Sequence, residues 1–469
     1  MSKLASKNVS ATSSGTPVIV HWFRRDLRLE DQTGFSEALK GLDLCSQDFK
    51  VLPLFIFDAS ILGRLEDKDD PRVSFIHQTL CEMKAKLAEF KSDVLCLYGN
   101  PVEIWRKILA NDSEVLGHLS GKIKIVDVTV GDDYEPSAIR RDAAVQKVLE
   151  SAGVRFHKFK DQVIFEKQEV TKDDGKPYTV FTPYSRKWRA RLETVSREQN
   201  PLAPKKCGPG FSKLLEFQSE IPTLESMGFT EKAGFDFPGL RVETSILTKY
   251  AELRNTPSIR GTSRLGLHLR FGTVSPRRLV QRAMELNAET WLSELIWREF
   301  FMQILWHFPH VVEGAFRPEY DRITWRNDEM EFEKWCRGET GYPIVDAGMR
   351  ELNETGFMHN RVRMIAASFL VKHLLVDWRW GEAYFARKLL DFDLSANNGN
   401  WQWVAGSGCD AAPYFRVFNP ELQAKKFDPK NEYIKKWVPE FGTSKAQEPM
   451  VVHAEARARV LRAYAAIKQ

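Results

Sequence analysis

The chain has 469 residues, 43% of them hydrophobic and 28% charged, with a formal net charge of +5, a pI near 8.7 and a mean hydropathy of −0.37. These values describe a soluble globular protein of two or three domains. No run approaches the ~18 uninterrupted apolar residues of a membrane span. Cys45, Cys81, Cys96, Cys207, Cys336 and Cys409 are scattered without a CxxC pair. That spacing argues against a disulfide framework and against a zinc or iron–sulfur site.

Residues 1–16, MSKLASKNVSATSSGT, are polar and lack the apolar core of a secretory signal; they read as a disordered tail on an intracellular, cytoplasmic protein. Strands are expected at PVIVHWF (17–23), VLPLFIF (51–57), VLCLYG (94–99), IKIVDVTV (123–130) and VRFHKF (154–159). Helical spacing falls between them, at 72–90, 101–110 and 136–152. Near-continuous Val/Ile/Leu runs separated by helices predict a doubly wound α/β domain with a parallel sheet over 17–160. No GxGxxG follows any of these strands, so this domain carries no dinucleotide fingerprint. Proline and glycine recur over 161–243, which reads as an interdomain linker. From 244 to 469 the pattern is helical, with long segments at 290–308 and 359–378, and ten of the thirteen tryptophans lie at or beyond Trp291. The second domain is expected to be all-α.

Seven arginines (Arg254, Arg260, Arg264, Arg270, Arg277, Arg278, Arg282) lie between Leu253 and Met284 without one acid. They are either a solvated face or a surface for phosphate. GTSRLGLHL (261–269) places two hydroxyls where a helix begins, as an anion cradle or an ordinary cap. Helical spacing puts Trp291, Glu294 and Arg298 on one face, with Trp297 beside them; a pocket wall and a surface Glu294–Arg298 pair both fit. Asn360, Arg363 and Met364 share a face of the next long segment, with Arg361 adjacent. DFDLSANNGNWQWVAGSGCDAAPYF (391–415) fits neither period and reads as a glycine-softened loop carrying Asp391, Asp393, Asn397 and Trp401. Together these describe one pocket for a large planar cofactor, with a phosphate end at Thr262, Ser263 and Arg298.

HWFRRDLRLEDQ (21–32), GTSRLGLHLRFG (261–272), ELIWREFF (294–301), GYPIVDAGMREL (341–352), HNRVRM (359–364), DFDLSANNGNWQW (391–403) and DAAPYFRVFNP (410–420) resemble the photolyase/cryptochrome family. The likeness is greatest to the class I photolyases that repair cyclobutane pyrimidine dimers. It implies an N-terminal α/β domain and a helical domain holding FAD. The implied flavin contacts are Tyr250, Thr262, Ser263, Leu265, Trp291, Arg298, Asn360, Arg363, Asp391, Asp393 and Asn397. Arg298 would lie near the pyrophosphate, Arg363 would pair with Asp391, Asp393 would accept from the ring N3–H, and Asn397 would face N5. An amide there can hydrogen-bond either form of the ring without adding charge. Trp401, Trp378 and Trp325 match the three tryptophans that carry an electron to the flavin.

On the substrate side, the resemblance places Glu294, Trp297, Asn360, Met364 and Trp403 in the dimer pocket. Trp297 and Trp403 would stack a flipped lesion, Glu294 would bond a thymine edge, and Arg361 would supply positive charge. Lys426, with Lys425 and Arg416, would hold the backbone of damaged DNA. The implied reaction is light-driven electron transfer from reduced FAD that splits the dimer, by a monomer that uses neither metal nor membrane. A second antenna pigment, methenyltetrahydrofolate or a deazaflavin, is also implied, with Glu135 resembling its folate contact although a lone loop glutamate is ordinarily surface. Two positions depart from the pattern: Phe357 stands for a common tryptophan and Gly266 for a frequent serine, and modest effects are expected of both. The alternative is a cryptochrome, a blue-light signalling protein without repair; the short stretch beyond FNP (418–420) and the residues Glu294, Trp297 and Trp403 weigh against it. A flavin oxidoreductase acting on a small molecule would explain the pocket but not the arginines.

Overall fold

The computed structural model describes residues 15–42, 48–198, 200–232 and 234–467. Nearly all of the expected 1–16 tail, and Cys45, lie outside the described residues. The other five cysteines are free thiols. The chain divides into two compact units, one made of Met1–Asp132, Ile139–Asp161 and Lys205–Glu231, the other of Asp133–Ala138, Gln162–Pro204 and Lys232–Gln469.

The first unit is built on β1 (Thr16–Phe23), α1 (Thr33–Lys40), β2 (Lys50–Asp58), α2 (Pro71–Ala88), β3 (Leu95–Gly99), α3 (Pro101–Leu109), β4 (Ile123–Gly131), α4 (Pro136–Ser151) and β5 (Arg155–Phe159). The five strands are all parallel, in the order β3-β2-β1-β4-β5. All five expected strands are present. Their Val/Ile runs are the reason: Val18, Ile19 and Val20 are fully buried, so both faces of β1 need apolar side chains. Helix starts are set by short polar side chains followed by proline: Asp70 caps α2 and Asn100 caps α3.

The segment expected as a linker, 161–243, is divided: 162–204 belongs to the helical unit and 205–231 to the sheet unit. In the sheet unit the Leu215 N–H donates to the Val51 carbonyl at 2.9 Å. In the helical unit the segment forms α5 (Phe181–Glu198), which buries Tyr184, Trp188 and Leu192, four residues apart. The surrounding prolines and glycines hide that stripe from a reading of composition.

The helical unit continues with α6 (Gly266–Phe271), α7 (Pro276–Glu285), α8 (Glu289–His307), α9 (Glu329–Arg337), α10 (Pro343–Thr355), α11 (Asn360–Ser368), α12 (Trp378–Lys388), α13 (Leu394–Ala405), α14 (Pro420–Phe427) and α15 (His453–Ala466). Two expectations fail here. The long helix over 359–378 is three pieces: α11 widens into a π-helical turn at Phe369–Leu374, Leu375 takes a left-handed conformation (φ 53°), and Asp377 caps a new helix, α12. The loop expected after Asp393 is helix α13, N-capped by the Asp393 carboxylate on Ser395 N–H at 3.1 Å and Ala396 N–H at 3.4 Å. Gly399 is tolerated inside it because a Cβ there would lie 2.2 Å from the Phe301 ring, so the glycine serves close packing on α8.

Candidate active site

A cavity of about 380 Å³ opens in the helical unit, lined from α8 by Glu294, Trp297, Arg298 and Phe301, from α11 by Asn360, Arg363 and Met364, and from the start of α13 by Asn397 and Asn400. Asp391, Asp393, Trp401 and Trp403 complete the wall, with Arg254 at the edge. Helical spacing brings these groups together: positions three and four apart on α8 and α11 share a face, and the Asp393 cap aims α13 so that Asn397 and Trp401 follow on one side.

Two acids anchor the polar end. Arg363 donates to Asp391 Oδ2 at 2.9 Å and to the Met358 carbonyl at 2.7 Å. Asp391 Oδ1 is buried without any hydrogen-bond partner. Arg270 lies 3.6 Å from Asp393 Oδ2 and 2.5 Å from Glu135 Oε1. Glu135 is therefore tied into this site and is not the surface residue expected. The Asn397 amide nitrogen donates to the Glu382 carbonyl at 3.1 Å, which leaves its Oδ1 as the atom available to a ligand. Arg298 donates to the carbonyls of Gln162 and, at 3.3 Å, of Leu269.

At the other end Glu294 is paired with Arg254, not with Arg298 as the surface-pair alternative had it. Burial raises the Glu294 pKa, opposed by the Arg254 guanidinium. Trp297 lies flat against Phe181, ring centroids 3.7 Å apart and planes 6° apart. Arg361 stands outside the cavity lining, its guanidinium 4.4 Å from the Phe427 ring and 2.7 Å from Asn255 Oδ1. Burial and the neighbouring Arg254 and Arg416 lower its pKa, the sign of a cationic cluster. Lys426 is exposed, its ammonium 5.2 Å from the centroid of the same Phe427 ring.

Several expected flavin contacts lie outside the lining of this cavity. Tyr250, Thr262, Ser263 and Leu265 do not line this cavity, and Trp291, only 3% exposed, packs in the core with Leu265. Burial pushes the Tyr250 hydroxyl to about 12. Of the seven arginines, Arg254 and Arg270 pair with cavity acids, Arg277 is buried, and Arg260, Arg264, Arg278 and Arg282 are exposed. They do not form one face. Trp401 and Trp378 are buried in one apolar cluster, with the partly buried Trp325 packed against it. The Trp401 ring rests on the backbone of α12, where a Cβ on Gly381 would come within 2.1 Å. Phe357, the departure from tryptophan, is a platform for two guanidiniums, Arg264 at 4.2 Å and Arg363 at 5.8 Å.

Sequence reasoning missed Phe301, Phe385 and Asn400 in the wall and Glu382 behind it; Phe301, four residues after Trp297 on the expected helix, was the one within reach of helical spacing. Among the described residues, no group of three or more His, Cys, Asp and Glu is placed to hold a metal ion, and no helix is long and apolar enough to cross a membrane.

The unpartnered Asp391 Oδ1, the available Asn397 Oδ1 and the paired cations around them suit a planar heterocycle with both donors and acceptors, as FAD has. Two family models match the chain: DNA photolyase over residues 19–205 and the FAD binding domain of DNA photolyase over 291–466. Curated relatives include the deoxyribodipyrimidine photo-lyases of Synechococcus (36% identical, 90% of this chain and 88% of that one) and Halobacterium salinarum (37%, 89% and 88%). Among solved structures, a class III photolyase from Agrobacterium tumefaciens aligns with TM-score 0.81 at 32% identity, covering 98% of this chain and 99% of that one. A photolyase from Sulfolobus tokodaii with two FAD molecules gives TM-score 0.74 at 33% identity, with 96% and 100% covered. A Synechocystis cryptochrome shares the fold at 23% identity, TM-score 0.79, with 96% and 99% covered.

Proposed function

Because the chain belongs to the DNA photolyase family, we propose that its cavity binds FAD and the flipped, cross-linked pyrimidines side by side, and that the protein splits cyclobutane pyrimidine dimers in DNA by light. The observation that carries this is the lining itself. Groups suited to a flavin (Arg363–Asp391, Asp393, Asn397) and groups suited to a lesion (Glu294, Trp297, Asn360, Met364, Trp403) line the same cavity.

When bound, FAD supplies the light absorption and the electron on which the repair depends. The protein's part is positioning and electrostatics. Arg363 holds Asp391 at a fixed angle, and Asp393 keeps a carboxylate toward the same space while capping α13. Asn397, pinned through its nitrogen, offers an acceptor without charge. Trp297 and Trp403 provide flat surfaces for a base drawn out of its stack. Burial raises the Glu294 pKa and so eases its protonation for donation to a thymine carbonyl, while Arg254 opposes the shift and pairs with it when ionised. Tyr250, Thr262, Ser263, Leu265, Trp291 and Arg298 remain the further flavin contacts of this reading. Trp401, Trp378 and Trp325 are the electron path from the surface to the cavity wall; indole rings in an apolar cluster suit that use.

Arg361 and Lys426, near the shared Phe427, hold backbone phosphate, with affinity that falls as salt rises. The protein works as an intracellular monomer on damaged DNA. An antenna pigment of folate or deazaflavin type belongs to the reading too, although Glu135 is committed to Arg270.

The test is direct. Illuminated with blue light and a thiol reductant, the FAD-loaded protein should restore thymine absorbance in ultraviolet-irradiated oligo(dT). Unchanged absorbance overturns the proposal.

A further inference from the structure

The helical unit holds a latch that none of the flavin or lesion contacts uses. Phe181, the first residue of α5, covers one face of the Trp297 indole at 3.7 Å. Phe300 meets the same indole edge-on at 5.5 Å, and Phe301 lies 5.4 Å away at 27°. Three rings thus pack around Trp297, and Phe181 itself does not line the cavity. Only one indole face is left for a base.

Phe181 is held in turn from the far wall. Its N–H donates to Asp410 Oδ2 at 3.0 Å, and the Asp410 N–H donates to the Thr179 carbonyl at 3.2 Å. Asp410 keeps a positive φ of 32°, a conformation that a non-glycine residue holds only when its surroundings enforce it. The loop that carries Asp410 folds back on the end of α13. Gly406 N–H donates to the Trp403 carbonyl at 3.2 Å, Gly408 N–H to that of Gln402 at 3.1 Å, and Ala412 N–H to that of Trp403 at 3.3 Å. The chain under Trp403 is thus hydrogen-bonded, through Asp410, to the residue stacked behind Trp297.

We propose that Phe181 and Asp410 form a positioning clamp that fixes which face of Trp297 meets the lesion and how far it stands from Trp403. This rests on Trp297 being a stacking wall for the substrate. Neither residue touches substrate; each acts through a ring that does. Fixing the rings before the base arrives removes the ordering cost from binding, so the clamp affects recognition of the flipped lesion and not the flavin.

The experiment uses the full-length FAD-loaded protein and a dimer-containing oligonucleotide. Phe181→Leu and Asp410→Ala should each raise KM about three- to tenfold, the scale of one lost ring stack. The turnover number should stay within about twofold, with FAD content and flavin photoreduction unchanged. Phe181→Tyr, which keeps the ring, should restore KM, and Phe181→Leu should add nothing in a Trp297→Ala background. A normal KM in Phe181→Leu beside a raised one in Trp297→Ala overturns the clamp alone. A normal KM in Trp297→Ala overturns the stacking wall and the clamp with it. Loss of FAD in step with KM would make Phe181 a merely structural residue and also overturn the proposal.

Discussion

A Cβ placed on Gly266 would lie 2.6 Å from Asp391 Oδ2 and 2.7 Å from its Cβ. Asp391 cannot simply swing aside, because Arg363 holds the same Oδ2 at 2.9 Å. The residue at 266 thus sets where this half-buried acid stands, which the phosphate-cradle segment alone does not reveal. Gly266→Ala should displace Asp391 and loosen FAD, at a cost of about 1–3 kcal/mol typical of overpacking. That is roughly a five- to 150-fold rise in the flavin dissociation constant. It is measurable as flavin lost on gel filtration; full retention would show that Asp391 moves freely. Such effects stay hidden in a sequence because they depend on which two segments meet. Glu135 is similar: nothing in DYEP reveals that Arg270, far along the chain, meets it at 2.5 Å.

Between α11 and α12 the π-helical turn buries Lys372, whose ammonium donates to the Ala405 carbonyl at 3.0 Å and lies 3.8 Å from the Tyr464 ring centroid. Burial alone lowers its pKa from 10.5 to about 7. Between those values the folded state binds fewer protons than the unfolded one, so stability rises as pH climbs from 7 toward 10.5. Lys372→Met should raise the melting temperature at pH 7 and flatten its increase toward pH 10; an unchanged slope would mean the charge is solvated. Elements of the first unit were legible because Val/Ile runs report burial on both faces. The break at Leu375 was not: LVKHLLVDW carries no proline or glycine to mark it, and only Asp377, as a cap, hints that a helix restarts. For α13 the cap at Asp393 was equally readable, but the helix meets Phe301 on one side and the cavity on another, so no single apolar stripe marks it. The site residues on α8 and α11 were legible from i, i+3 and i+4 spacing, since those helices present one face to the cavity.

At the scale of the molecule the chain enters the helical unit before the boundary at 244 suggested by composition. Residues 162–204 supply the Ile164 and Phe165 N–H groups, at 2.6 and 3.2 Å, and the Trp188 indole N–H, at 2.8 Å, that satisfy the fully buried Glu299 carboxylate. Even with these donors, burial holds the Glu299 pKa at about 7. A fragment beginning at 244 would leave that acid without any of the three. It should give no cooperative thermal transition by circular dichroism, whereas 162–204 joined to 232–467 should melt as one unit. A sharp transition from the shorter fragment would contradict this.

Anyone building chimaeras from two relatives faces a crossover problem at Glu299. A junction at the seemingly natural border near 244 pairs one parent's acid with the other parent's donors. Exchange succeeds only if the strip around Trp188 travels with the bundle it serves, so heredity must treat two stretches far apart in the gene as a single cassette.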